Sequence, residues 1–163
     1  MESPENNSPA DTEIPPTPVT RRLPLLLRRA WYGLNQAFRR RIAHLEITPD
    51  QYTVLRNLHE AGPRGITQSG LSANMTSDPN TVASLVNRME QSGLLRRQTD
   101  PDDRRARRLR LAPAGRRRFH AARSLAIALQ EEVLGPLSPS EVEQFLAVLE
   151  KIATACSHAA ERE

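Results

Sequence analysis

From Leu23 onward, large apolar residues recur every three or four positions: Leu23, Leu27, Trp31, Leu34, Phe38, Ile42 and Leu45. That period predicts an amphipathic helix over about 22–45. Pro24 suits its first turn, where a missing N–H costs nothing, and arginines 28, 29, 39, 40 and 41 take the other face. A second helix starts at "TPDQ". Thr48 caps it, Pro49 opens it and Gln51 stands at the capping-box position. Tyr52, Val54, Leu55 and Leu58 supply its apolar face, and Gly62-Pro63 ends it. A short helix follows in "GITQSGLSANM", capped by Thr67, with Ile66 and Leu71 on one side. Gly70 inside it costs about 1 kcal/mol relative to alanine, so this helix depends on tertiary packing.

"DPNTVASLVNRMEQSG" carries the fullest set of helix signals. Asp78 is the N-cap, Pro79 the first helical residue and Gly93 the stop. Val82, Leu85, Val86 and Met89 form its apolar stripe. Asn80, Ser84, Asn87 and Gln91 lie opposite, flanked by Thr81 and Arg88. That outer face is polar yet nearly uncharged, unlike an ordinary solvent face. Residues 94–99 then read as a strand. Residues 107–111 alternate, Leu109 and Leu111 against Arg108 and Arg110, and "DPDDRRA" between them has turn chemistry, so the pair predicts a two-stranded hairpin. Two long helices follow. One runs from Pro113 to about Leu134 through Phe119, Ala122, Leu125, Leu129 and Val133. The other is opened by "SPSE" and lined by Val142, Phe145, Leu146, Leu149, Ile152 and Ala153.

Composition sharpens this outline. The chain has 163 residues and a formal charge of +4. Residues 1–20 hold four acids, no base and several prolines, and are expected to be a disordered tail. Residues 96–118 hold ten arginines against three aspartates, a concentrated patch that draws polyanions. Lys151 is the only lysine. The arginine fork suits phosphate and guanine, although a GC-rich genome inflates arginine by itself. Cys156 is the sole cysteine, which excludes an internal disulfide and a thiolate zinc cage. It is expected to be a buried structural residue near the end of the last helix, at an interface between two copies of the chain, rather than a redox sensor. His44, His59, His120 and His158 have no metal-ligand spacing, and neither a phosphate-binding glycine loop nor a nucleophilic triad is present. No cofactor, metal or enzymatic activity is expected. No apolar run is long enough to span a membrane and no secretory start is seen, so a cytoplasmic protein is expected.

Three helices and a hairpin describe a winged helix-turn-helix. The fold class expected is mainly α with a small β-hairpin wing, flanked by terminal helices. The capped helix suits the major groove, and an arginine-bearing hairpin suits an adjacent minor groove. Residues 66–119, "ITQSGLSANMTSDPNTVASLVNRMEQSGLLRRQTDPDDRRARRLRLAPAGRRRF", resemble the DNA-binding region of MarR-type transcriptional regulators. The capped helix, "NRMEQSGLLRR", the Asp-rich wing and "LAPAG" carry the likeness. Counting the flanking helices, it covers about residues 22–160.

The resemblance implies a winged helix-turn-helix over about 48–112 within a domain over 21–163. It also implies a homodimer built by helices at about 22–45, 113–135 and 138–160, with two capped helices on successive major grooves of a pseudopalindrome. An intramolecular helix bundle is the alternative for those apolar stripes. In the family a wing arginine enters the minor groove, held by an aspartate two residues earlier. Aligned back from Leu111, these are Arg105 and Asp103, with Arg104 beside them. Asn80, Thr81, Ser84, Asn87 and Arg88 are the expected major-groove or phosphate contacts. The family also holds small aromatic or anionic effectors between dimer helices and DNA-binding lobe. Trp31, Tyr32, His44 and Tyr52 are the candidates, with core packing as their alternative. Peroxide-sensing members use a cysteine early in the first helix, which this chain lacks. The resulting expectation is a repressor relieved by an effector. A winged-helix module that binds protein is the competing reading.

Overall fold

In the computed structural model the described residues are 22–100 and 107–162. Six α-helices are present among them: α1 (Leu23–Ile42), α2 (Pro49–Glu60), α3 (Gln68–Asn74), α4 (Pro79–Gln91), α5 (Pro113–Leu134) and α6 (Pro139–Ala160). Three short strands, β1 (Ile66–Thr67), β2 (Leu95–Thr99) and β3 (Arg107–Leu111), form one antiparallel sheet in the order β1-β3-β2. The winged helix-turn-helix expected from the sequence is the observed fold. The chain divides between Leu34 and Asn35 into two compact units, so α1 runs across the division. No helix among the described residues is long and apolar enough to cross a membrane.

The caps act where the sequence places them. Thr48 Oγ1 accepts from the Gln51 N–H at 3.2 Å, and Gln51 Oε1 accepts from the Thr48 N–H at 2.9 Å. Thr67 Oγ1 accepts from the Gly70 N–H at 3.1 Å. Each cap is worth about 1 kcal/mol. At α6 one Glu141 carboxylate oxygen accepts from both the N–H and the hydroxyl of Ser138, at 2.8 and 2.7 Å. These bonds hold the Glu141 carboxyl below the usual carboxylate range.

β1 is absent from the hairpin that the sequence predicts. It pairs Ile66 with Leu109 and Thr67 with Arg108, adding a third strand to the wing. Two residues are too few to show alternation, and Thr67 is legible mainly as a helix cap. The signal is the glycine before it. Gly65 has φ +68°, and a Cβ there would lie 2.4 Å from the Leu109 carbonyl oxygen, so only glycine lets the strand approach.

In the unit from Asn35 onward, the core lies under the sheet. It gathers Ile47, Val54, Leu55, Leu58, Leu71, Val82, Val86, Met89, Leu94, Leu95, Leu109, Leu111, Phe119 and Ala122. Val54 and Leu58 of α2, the α4 stripe and the first half of α5 are all in it. Two ion pairs tie α5 to the segment before α2. Arg41 meets Glu132 at 2.5 Å. Arg118 meets the Glu46 carboxylate at 2.8 Å and its carbonyl at 3.1 Å. Glu46 sits at φ +53°, a left-handed conformation that the Arg118 bonds help to hold. By contrast α6 buries none of its residues. Phe145, Leu146 and Ala153 of its predicted stripe are exposed, and Val142, Leu149 and Ile152 half-buried. Cys156 is exposed in the single chain; the burial expected of it is at a dimer interface.

A close backbone approach joins α5 to Leu94, the residue before β2. A Cβ on Gly115 would stand 1.9 Å from the Leu94 carbonyl oxygen and 2.9 Å from its carbon. Helix propensity favours Gly115→Ala by about 1 kcal/mol. The clash opposes it, and overpacking against backbone costs about 1–3 kcal/mol. Gly115→Ala is therefore expected to lower stability in urea or thermal melting. A stabilised variant would show that α5 and β2 have room to part.

Candidate nucleic-acid interface

The α4 helix is fixed at both ends. Asp78 Oδ1 accepts from the N–H groups of Asn80 and Thr81, at 2.9 and 3.0 Å. These first-turn amides are satisfied by the chain itself. At the other end the Gly93 N–H donates to the Glu90 carbonyl and the Leu94 N–H to the Met89 carbonyl, both at 2.9 Å. This is a Schellman cap, with Gly93 at φ +68°. It turns the chain straight into β2. Val82, Leu85, Val86 and Met89 are buried, which leaves Asn80, Thr81, Ser84, Asn87, Arg88 and Gln91 exposed. The structure thus brings all five predicted α4 residues to the surface. A bond from Asn74 Nδ2 to Asn57 Oδ1, 3.0 Å, ties α3 to α2.

The wing is built by register. Leu95 pairs with Leu111 and Arg97 with Leu109, while Arg96 faces Arg110 and Gln98 faces Arg108. Toward its turn end the wing is clamped by Arg108, which donates to the buried carboxylate of Asp100 and to the Gly65 carbonyl at 3.3 Å. Asp100 reads from sequence as one more acid of the turn. Its burial is visible only once β2 and β3 are paired. Asp103, Arg104 and Arg105, the expected minor-groove residues, lie outside the described residues.

Arg97 is the residue that sequence reasoning missed. Its guanidinium donates to the Glu90 carboxylate, to Asn87 Oδ1 at 2.6 Å and to Gln68 Oε1 at 3.4 Å. Its backbone N–H donates to Glu90 Oε1 at 3.0 Å. One side chain of β2 therefore binds α4 twice and α3 once. The available signal was the spacing of Asn87, Glu90 and Arg97: two residues one helical turn apart, then a tight reversal into the strand.

The effector candidates fall in different surroundings. Trp31 and Tyr32 are exposed on α1, and His44 is exposed in the short turn after it. Tyr52 is half-buried. Its ring lies 4.9 Å from Phe38, edge-on, and 5.9 Å from Phe119, stacked. Burial pushes its phenol above the ordinary tyrosine value, against the pull of Arg56 and Arg123. Among the described residues no cluster of three or more His, Cys, Asp or Glu side chains is placed to hold a metal ion.

Comparison with known proteins agrees with this architecture. The sequence pattern of the MarR family matches residues 47–106. The transcriptional regulator HosA of Escherichia coli O111:H- is 34% identical over 135 residues, covering 80% of this chain and 98% of HosA. Among solved structures, CouR from Rhodococcus jostii RHA1 bound to p-coumaroyl-CoA superposes with a TM-score of 0.76 at 26% identity, covering 85% of this chain and 96% of CouR. The S. aureus MepR–DNA complex shares the fold, with a TM-score of 0.75 at 24% identity over 81% of this chain and 96% of MepR. An α4 helix capped at both ends, a three-stranded wing braced on it and these likenesses lead to one conclusion: the chain belongs to the MarR family of DNA-binding winged helix-turn-helix transcriptional regulators.

Proposed function

We propose that this protein is a homodimeric repressor that occludes a pseudopalindromic promoter site and releases it on binding a small aromatic or anionic effector. The observation that carries the DNA-binding part is the exposed face of α4. Asn80, Thr81, Ser84, Asn87 and Arg88 offer short donors and acceptors and one charge, the chemistry that distinguishes base pairs in the major groove. Asp103, Arg104 and Arg105 are the proposed wing residues. An aspartate beside a minor-groove arginine opposes the DNA charge, so Asp103 acts by orienting Arg105.

Unpartnered apolar surface supports the dimer. On α6, Phe145 and Val148 are 46% and 53% exposed, and on α1, Leu25 and Trp31 are 60% and 64% exposed. Surface of this kind on a monomer marks an interface, and a second copy offers the same helices in return. Trp31, Tyr32, His44 and Tyr52 are the candidate effector contacts. An effector relieves repression only through a difference in affinity between two conformations of the dimer. That CouR is known with p-coumaroyl-CoA bound supports an aromatic ligand.

Selection of bound fragments from random DNA is expected to recover an inverted repeat, with binding that weakens steeply as salt rises. Absence of enrichment would favour a protein-binding module instead. Arg105→Ala is expected to weaken binding to the recovered site by about 1–3 kcal/mol in gel-shift titration, with the dimer intact by sedimentation. Unchanged affinity would remove Arg105 from the interface. Phe145→Glu is expected to shift the protein toward monomer, and a dimer of undiminished stability would exclude that face of α6 from the contact.

A further inference from the structure

Asn87 is exposed on the outer face of α4, yet one end of its carboxamide is already engaged. Arg97 Nη2 stands 2.6 Å from Oδ1. A guanidinium only donates, so the atom facing it must be the amide oxygen and not the amide nitrogen. This chemistry fixes an orientation that is otherwise ambiguous for asparagine. Arg97 is itself held by the Glu90 carboxylate and by Gln68, so the oxygen is bound to an immobilised partner. The carboxamide is planar, with oxygen and nitrogen on opposite sides of its carbon. Turning the oxygen toward Arg97 leaves the NH2 group as the end available to a ligand.

A free asparagine pairs with adenine through both atoms: oxygen accepts from N6 and nitrogen donates to N7. The Arg97 bond takes one of the oxygen's two lone pairs and holds the oxygen toward β2, which weakens the accepting half of that pairing. Guanine presents N7 and O6, two acceptors side by side, which suit an NH2 group alone. We infer that Asn87 reads the major groove as a donor and selects guanine over adenine, with Arg97 as the positioning residue that imposes the choice. The inference rests on the proposed entry of α4 into the major groove. It extends that reading by assigning a base preference to one side chain and a cause to the preference.

The test is fragment selection from random DNA with the full-length wild type, N87A, N87D and R97M. N87A identifies the half-site position that Asn87 reads, as the one where base preference is lost. At that position the wild type is expected to prefer G·C over A·T by about fivefold or more. R97M frees the oxygen, and the preference is expected to move toward A·T. N87D keeps an oxygen for Arg97, and so keeps the fold, but presents an acceptor outward. It is expected to lose the guanine preference while melting near the wild-type temperature. A wild type that prefers A·T at this position overturns the inference, as does an N87D protein that retains guanine. An R97M protein that is folded by melting and selects the same base as wild type also overturns it. An N87A protein weakened equally on every sequence would make Asn87 a phosphate contact and overturn it too. Failure of the wild type to select any site would instead sink the DNA-binding reading beneath it.

Discussion

The peptide unit of Leu94 joins four elements. Its N–H closes the Schellman cap of α4, and its carbonyl accepts from the Ala112 N–H at 3.1 Å, where β3 passes into α5. The same carbonyl lies against the Cα of Gly115, the third residue of α5. Its side chain is 1% exposed within the core. The helix proposed to read DNA, the base of the wing and the start of α5 are thus referred to one point of backbone. A displacement of α5 in the unit from Asn35 onward cannot leave the pitch of α4 unchanged unless this point yields. Packed interiors are barely compressible and transmit strain, so a shift at either helix is felt at the other through this junction.

Two kinds of apolar stripe serve different ends. The stripes of α2 and α4 and the first half of α5 close on one another and on the sheet. The stripe of α6 is at most half-buried among the described residues. Both look alike in the sequence, because periodicity reports that a helix has an apolar face and is silent about what covers it. The intramolecular bundle considered from sequence required α6 to be buried. In the unit from Asn35 onward α6 buries none of its residues, which leaves its apolar face available to a second copy.

Much of the fold was legible because its signals are local. Thr48, Thr67 and Asp78 are caps, Gly93 is a stop, and the Leu109/Leu111 alternation marks a strand; each depends on residues a few positions away. What stayed hidden depends on pairing across the chain. β1 exists only because β3 lies beside it. Asp100, buried, takes a bond from Arg108 on the opposite strand. For the candidate site, the outer face of α4 could be read from a helical wheel, and all five of its residues are exposed. That Asn87 has one of its two functional ends occupied could not, since the partner comes from another element after a reversal of direction.

The near absence of lysine had two explanations at the level of composition, a nucleic-acid surface or a GC-rich genome. The structure divides the question. Arg97 spreads its nitrogens over three acceptors on two helices, and Arg118 spans a carboxylate and a backbone carbonyl of one residue. A lysine ammonium is a compact point charge that cannot reproduce such a planar fork. Arg88, Arg96, Arg107, Arg116 and Arg117 are exposed and face no such geometric demand from the described chain. Codon bias is therefore a sufficient account only of the second group. In a relative from a genome of different base composition, Arg96, Arg107, Arg116 and Arg117 meet no fork-shaped demand of the fold against drift to lysine, while the first group must keep its arginines or lose the braces they form.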